Sequence, residues 1–349
     1  MHRADLDKLL TYAVQKEASD IHLSAGSPPI LRIHGTLRRI EGSMITREGL
    51  RTVVSEILTE KQRKVLEETL ELDFAYALKN VARFRTNLYF QLRGEAAAFR
   101  TIPDRVRSLE ELRAPKGLYQ LCYQKKGVVL VTGPTGSGKS TTLAAMIDLI
   151  NKKRREHILT IEDPIEYVHQ NKNCLVNQRE LNRHTHSFAN ALRSALREDP
   201  DVILVGEMRD LETIALALTA AETGHLVFAT LHTISAAETV NRIVDVFPGE
   251  QQGQIRAMFA NAVQGIVAQR LLPTKDGRGR IAVHEVMIAT PAVRNLIREE
   301  KTHQIHSAIQ TGAVYGMQTM DQALKRYLEQ GLIAKEEALA NATDANLFQ

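Results

Sequence analysis

Residues 133–140 read GPTGSGKS, and this octapeptide constrains the fold more than any other part of the chain. It matches the phosphate-binding pattern G-x-x-x-x-G-K-[ST] at every defined position. The apolar run GVVLVT at 127–132 comes directly before it, and a helical pattern at 141–150 follows. A strand, a glycine-rich turn and a helix in this order predict an α/β layer with a ligand site at the carboxyl end of the strand.

The chemistry of this turn predicts a nucleotide phosphate site. Its glycines allow successive backbone N–H groups to turn toward phosphate oxygens, and the following helix N-terminus adds partial positive charge. We expect Lys139 to reach the β- and γ-phosphates of ATP and the Ser140 hydroxyl to bind Mg²⁺. The residues of this segment predicted to contact nucleotide are Gly133, Pro134, Thr135, Gly136, Ser137, Gly138, Lys139, Ser140 and Thr141.

Two further strand ends carry polar side chains. The segment DVILVGE at 201–207 is an apolar run that ends in Gly206, where an aspartate is more usual, and Glu207 follows. We predict that Glu207 acts on Mg²⁺, and an exposed acid in a strand-to-helix turn is the alternative. His232 lies at the far end of a third apolar run, 225–231. This position fits a phosphate sensor that contacts nucleotide, and it fits a hydrogen-bonded structural histidine equally well.

The stretch TIEDPIEY at 160–167 places three carboxylates around a proline. Pro164 biases Asp163 away from helical geometry, so local structure explains Asp163 as a turn residue. Glu162 lies at the end of a predicted strand, and position alone favours it as the catalytic acid over Glu166.

Composition narrows the remaining functional classes. The 349 residues carry a net charge of +4 and 44% hydrophobic residues, which is typical of a globular protein of about two domains. The basic residues form no long run and no aromatic-studded segment, so we expect no nucleic-acid partner. The chain has two cysteines and no apolar run of the roughly 18 residues that a membrane span needs. These features predict a cytoplasmic protein without direct membrane insertion.

A composition shift marks the predicted domain boundary. Residues 1–100 combine helical and strand patterns, and the segment 101–117, which contains Pro103, reads as a linker. Residues 118–349 alternate strands and helices, which predicts a mostly parallel sheet covered on both faces. The C-terminal third reads as mostly helical, and the last residues, NATDANLFQ, read as a loose tail.

The order of motifs carries a family resemblance. GPTGSGKS, TIEDPIEY, LVGEMRD and TGHLVFATLHT follow one another as in the secretion ATPases of type II secretion and type IV pili, which this sequence resembles over nearly its whole length. The segments ASDIHLSAGSPP, ARFRTN and AVRNLIRE are similar to those of the pilus-retraction branch. Two cysteines cannot build the four-cysteine zinc module that is usual in the pilus-assembly and type II secretion relatives.

The resemblance implies a PAS-like N-terminal domain, a RecA-like ATPase domain and a homohexameric ring that binds nucleotide between the two domains. It implies hydrolysis of ATP with Mg²⁺ to drive type IV pilus retraction through an inner-membrane platform protein, which would hold the ATPase at that membrane. It makes Glu166 the general base. It also makes Arg83, Arg85 and Arg100 sensors of the γ-phosphate, whereas sequence alone favours a surface ladder of arginines.

Three alternatives stay open at this point. An accessory retraction ATPase has closely similar motifs, a nucleotide-gated ring with negligible turnover has the same binding residues, and a nucleic-acid motor has the same ATPase core.

Overall fold

The chain folds into two compact units, residues 1–105 and 106–349. The computed structural model describes residues 1–33, 35–79, 81–102 and 105–348, so Pro103 of the predicted linker lies outside the described residues.

The first unit is an antiparallel sheet with helices on one of its faces. The strand order is β3-β2-β1-β6-β5-β4, and each neighbouring pair is antiparallel. Its elements are α1 (Arg3–Gln15), β1 (Ala18–Ser24), β2 (Ile30–Ile33), β3 (Thr36–Arg39), α2 (Arg47–Ile57), α3 (Glu60–Thr69), β4 (Glu71–Leu78), β5 (Ala82–Gln91) and β6 (Gly94–Ile102).

Alternation along β5 separates a buried face from a cationic face. Phe84 and Leu88 point into a core that Leu6 and Leu10 of α1 also enter. Successive side chains of a strand point to opposite faces, so the arginines of β5 lie on the face away from this core.

The second unit is a seven-stranded sheet covered by helices. The strand order is β13-β12-β7-β11-β10-β8-β9; the pairs from β12 to β9 are parallel, and β13 is antiparallel to β12. Its elements are α4 (Lys116–Cys122), β7 (Gly127–Thr132), α5 (Lys139–Lys153), β8 (His157–Glu162), β9 (Leu175–Glu180), α6 (Phe188–Ala195), β10 (Val202–Val205), α7 (Leu211–Glu222), β11 (Leu226–Leu231), α8 (Ala236–Asp245), α9 (Gly249–Ala262), β12 (Val263–Pro273), β13 (Arg280–Ile288), α10 (Pro291–Arg298), α11 (Ile305–Thr311), α12 (Met320–Glu329) and α13 (Lys335–Asn341).

Both faces of this sheet are buried. Val128 and Leu130 of β7 enter one core cluster, and Val129 and Val131 enter the cluster on the opposite face. Burial on both faces explains why β7 reads as a continuous apolar run rather than an alternating one. The predicted α/β class with a mostly parallel sheet is therefore confirmed.

The C-terminal region differs from its prediction in two respects. An eleven-residue strand, β12, lies in the third of the chain that reads as mostly helical. The loose-tail prediction is wrong for the part of the tail that the structure describes, since Phe348 is buried among Leu324, Tyr327 and their neighbours. The Asp321 carboxylate accepts hydrogen bonds from the backbone N–H groups of residues 343 and 344 and so holds the chain in place.

Helix α10 packs into the core through Val293 and Ile297, and its arginines bond neighbouring segments. Thr290 caps its N-terminus by accepting from the Val293 N–H, as the sequence predicts for a Thr-Pro start. The guanidinium of Arg294 donates to the carbonyls of residues 260 and 261 at the end of α9, to that of residue 289, and to the Gln264 side chain at the start of β12.

None of the helices within the described ranges is long and apolar enough to cross a membrane.

Candidate functional site

The backbone of the glycine-rich turn between β7 and α5 lies in close contact with the backbone of β12. A side chain on Gly133, whose φ is 140°, would place its Cβ 2.3 Å from the Gln269 carbonyl oxygen. Gly138 is left-handed with φ 88° and stands directly before α5. Both positions therefore require glycine, and the turn leads its backbone into the helix N-terminus as the phosphate-site pattern demands.

Lys139 lies within the turn and faces two acids. Its Nζ donates to the Gly133 carbonyl at 2.6 Å and to the Pro134 carbonyl at 3.1 Å. Burial lowers the pKa of Lys139, and the carboxylates of Glu207 and Glu166 act in the opposite direction. Because both carboxylates act on the pKa of Lys139, the predicted acids Glu207 and Glu166 lie near this lysine.

Glu207 follows β10, and each of its two carboxylate oxygens contacts a nitrogen of a neighbouring side chain. Its Oε1 lies 3.0 Å from His232 Nε2, and its Oε2 is 2.8 Å from an Arg209 guanidinium nitrogen. Burial opposes ionisation of this carboxyl, but the hydrogen bonds and charges of Arg209 and His232 outweigh burial and lower its pKa. The structure thus brings Glu207 and His232 together at the edge where β7 presents Lys139.

Gly206 positions this pair at the strand end. The Gly206 N–H donates to the Ile161 carbonyl of β8, and its carbonyl accepts from the Thr230 hydroxyl of β11 at 2.5 Å. A Cβ there would lie 3.2 Å from the Ile161 oxygen, which explains the glycine at this strand tip.

Glu162 and Glu166 occupy different environments. The Glu162 Oε1 accepts from the Thr160 hydroxyl at 2.6 Å and from Gln178 Nε2 at 3.1 Å. Burial raises the pKa of Glu162 to about 7 against these two hydrogen bonds, and the nearby Glu166 carboxylate adds to the rise. The Glu166 carboxylate accepts no hydrogen bond from the residues that the structure describes. It does interact electrostatically with Lys139. The Asp163–Pro164 peptide bond between them is cis.

The three predicted arginines form a separate group in the first unit. Arg83 and Arg85 are two positions apart on β5, and Arg85 pairs across the ladder with Arg100 of β6. Residues two apart on a strand, and residues directly opposite in an antiparallel pair, share a face, so the three lie on one face. Arg100 donates to Asp20 of β1 at 2.9 Å.

Gln269 is a residue of this site that the sequence did not reveal. From β12, its Nε2 donates to the Ser137 carbonyl at 2.5 Å, and its Oε1 accepts from the Thr142 hydroxyl at 2.7 Å. His284 donates from Nε2 to the same Oε1 at 3.1 Å, and burial lowers the pKa of His284 to about 4, so the ring is neutral at pH 7. One buried amide therefore joins the phosphate turn at Ser137 to the first turn of α5 at Thr142.

Replacing this amide tests its importance for binding. Gln269→Leu keeps the volume but removes the partner of the Ser137 carbonyl, the Thr142 hydroxyl and the His284 Nε2, at about 1–3 kcal/mol for each unpaired buried group. We expect a lower melting temperature and a loss of mant-ADP affinity of about tenfold or more, measured by fluorescence titration.

A glutamine of α9 provides the matched control. Gln252→Leu removes a side-chain hydrogen bond to the Phe247 carbonyl and should change stability without changing mant-ADP affinity. Equal nucleotide affinity in Gln269→Leu and wild type would contradict the role given to Gln269.

The sheet order and the strand ends together define a class of protein. The phosphate turn follows β7, β11 lies between β7 and β10, and acids follow β10 and end β8 at the same edge. This arrangement is that of a RecA-like P-loop nucleotide triphosphatase.

The comparisons with known proteins place the chain within that class. The chain belongs to the Type II/IV secretion system protein family, whose model matches residues 2–340. It is 55% identical to the type IV pilus retraction ATPase PilT of Pseudomonas aeruginosa, over 97% of this chain and 98% of that protein. It is 41% identical to the type IV pilus ATPase PilU of the same organism, over 98% of this chain and 90% of that protein.

A solved structure agrees with the sequence matches. The crystal structure of the pilus retraction motor PilT with bound ADP is 48% identical, and it superimposes with a TM-score of 0.90 over 97% of each chain.

Proposed function

We propose that this protein is an ATP-hydrolysing motor that drives retraction of type IV pili. The observation that carries the proposal is the 55% identity to a retraction ATPase over 97% of the chain. Its P-loop, its acids and His232 meet at one edge of the sheet, which supports hydrolysis as the reaction. The lower identity of 41% to PilU favours the main retraction ATPase over the accessory one.

The side chains at the sheet edge divide the work of hydrolysis. The P-loop N–H groups and Lys139 bind the phosphates of ATP, its substrate. Glu166 is the general base: its carboxylate orients the attacking water and accepts its proton. His232, whose Nε2 lies 3.0 Å from Glu207 Oε1, would sense the γ-phosphate.

The donors present suit Mg²⁺. A hydroxyl from Ser140 and a carboxylate from Glu207 are hard oxygen ligands of the kind that this ion prefers beside phosphates. These two residues would hold Mg²⁺, directly or through water, and the bound ion would neutralise phosphate charge during transfer.

The proposal extends to assembly and organisation. The protein would act as a homohexamer in which Arg83, Arg85 and Arg100 sense the γ-phosphate, and it would contact an inner-membrane platform protein from the cytoplasm. The compact units at 1–105 and 106–349 support a PAS-like domain at 1–100, a linker at 101–117 and an ATPase domain at 118–349.

Deletion of the gene tests the function directly. We expect a strain with excess surface pili and no twitching, because pili would assemble but not retract. The wild-type gene should restore twitching, and a Lys139→Ala gene, whose product cannot hold the phosphates, should not. Pilus number is measured by electron microscopy and twitching by the width of the colony edge.

The other outcomes identify the alternatives. A strain without surface pili would indicate a role in assembly, and retained twitching with normal pili would indicate an accessory enzyme. Purified wild type without ATP turnover would indicate a regulatory ring. Tight DNA binding with a steep salt dependence would indicate a nucleic-acid motor.

A further inference from the structure

The segment that carries Glu166 lies against β9 without pairing with it as a strand. Instead, two side chains of β9 bind its backbone. The Ile165 N–H donates to Glu180 Oε2 at 3.2 Å, Gln178 Nε2 donates to the Tyr167 carbonyl at 2.8 Å, and the His169 N–H donates to Gln178 Oε1 at 2.8 Å.

These contacts recur at every second residue. Ile165, Tyr167 and His169 are buried, whereas Glu166 is half-buried and Val168 is exposed. A period of two is that of an extended chain, whose successive residues face opposite sides. The residues on either side of Glu166 are therefore fixed, and Glu166 lies on the more open side with Lys139 in its electrostatic reach.

Gln178 and Glu180 are suited to this task by their own positions. They are two apart on β9, so they project from the same face of the strand. β9 ends the sheet order beside β8, and Gln178 Nε2 also donates to Glu162 Oε1 at the end of β8. The Gln178 amide therefore bonds both Glu162, at the end of β8, and the Tyr167 carbonyl, directly after Glu166.

A further contact joins this segment to the phosphate turn. The Tyr167 hydroxyl lies 2.9 Å from the Thr141 hydroxyl in the first turn of α5. The backbone around Glu166 is therefore bonded to side chains of β9. The neighbouring Tyr167 side chain is bonded to Thr141 of α5, the helix that follows the phosphate turn.

We propose that Gln178 and Glu180 are positioning residues that hold Glu166 at the distance required for water activation. The inference rests on the proposed function, in which Glu166 is the general base, and it adds the residues that place it. Neither β9 side chain is assigned a contact with nucleotide, so both act through the backbone of the acidic segment.

The expected effect follows from the sensitivity of proton transfer to distance. A general base must lie within about 3 Å of the water that it deprotonates, and a displacement of about 1 Å can cost roughly 10²-fold in rate. Losing either side chain should therefore lower kcat about 100-fold and leave KM and nucleotide affinity within about twofold, because the phosphate turn itself is untouched. A merely structural role would lower kcat, raise KM and weaken nucleotide affinity together.

The test uses the purified full chain and four variants. Gln178→Leu and Glu180→Leu remove the hydrogen-bonding groups at similar volume, and both should lose kcat selectively. Glu180→Gln keeps an oxygen acceptor for the Ile165 N–H and should retain most of the wild-type kcat. Asn177→Ala removes an exposed amide from the same strand and should behave as wild type. The readouts are kcat and KM from phosphate release, and mant-ADP affinity from fluorescence.

Two results would overturn the inference. One is a wild-type kcat in Gln178→Leu and Glu180→Leu; the other is a lower kcat accompanied by a higher KM and a weaker mant-ADP affinity. If a leucine variant does not fold, Gln178→Glu replaces it, since it keeps the acceptor for His169 and removes the amide donor, and it should show the same selective loss.

The proposed function fails separately. An inactive wild type or a fully active Glu166→Gln would remove the reaction or its base. An active wild type and an inactive Glu166→Gln, beside fully active Gln178→Leu and Glu180→Leu, would overturn this inference alone.

Discussion

Glu166→Gln is expected to lose most ATP turnover and to keep nucleotide binding. Glutamine has nearly the same shape but cannot accept the proton of the attacking water, a contribution of typically about 10²–10⁴-fold in rate. The Glu166 carboxylate lies near Lys139 and accepts no hydrogen bond from any described residue, so it is available for a water molecule. Phosphate release measures kcat, and mant-ADP fluorescence measures binding.

Glu162→Gln is the matched comparison. The Glu162 carboxylate is already occupied by Thr160 and Gln178, and burial raises its pKa to about 7, so part of the population is protonated at neutral pH. We expect its conversion to an amide to reduce turnover much less than Glu166→Gln does. Loss of turnover in Glu162→Gln together with full activity in Glu166→Gln would reverse the two assignments.

Arg85→Ala is expected to lower kcat by about 10³-fold or more, the effect of removing a trans-acting arginine in P-loop enzymes. Arg85 shares a face of the first unit with Arg83 and with Arg100, whose charge is paired with that of Asp20. The side chain is on the sheet face away from the core, so the loss should come without a large change in melting temperature.

Arg32→Ala provides a control on the same face. Asp20 pairs with Arg32 on one side and with Arg100 on the other, so the strand register places Arg32 on the same face, farther from Arg85. We expect nearly wild-type turnover in Arg32→Ala.

Mixed assemblies test whether Arg85 acts on a neighbouring subunit. Arg85→Ala and Lys139→Ala subunits are each expected to be nearly inactive alone, and a mixture should regain part of the turnover, because one would supply an intact P-loop and the other an intact arginine. No recovery in mixtures that do assemble would contradict action between subunits.

Much of the fold was predictable because its signals are local. The P-loop sequence gives a strand, a turn and a helix from contiguous residues, and apolar runs mark the parallel strands β7, β8, β10 and β11. The position of Glu207 after β10 follows from the same patterns. The sequence does not predict β12 because Gln264, Gln269 and Arg270 interrupt it, which leaves neither a continuous apolar run nor a clean alternation.

The remaining parts of the site depend on contacts between distant segments. Gln269 donates to Ser137, which is 132 positions away in the sequence, and no local pattern around either residue predicts this hydrogen bond. Phe348 is buried through packing with α12, although its neighbourhood in the sequence has the composition of a tail. Ile165 and Tyr167 alternate with Glu166, but apolar Val168 and polar His169 break the pattern in the sequence. The alternation of buried residues and its partners on β9 become evident only in the structure.

The Arg294 guanidinium has a mechanical consequence. Through four hydrogen bonds it cross-links the end of α9, the start of β12 and the link before α10. We expect a displacement of α10 to be passed to β12 at Gln264, five residues before Gln269, whose amide binds the phosphate turn.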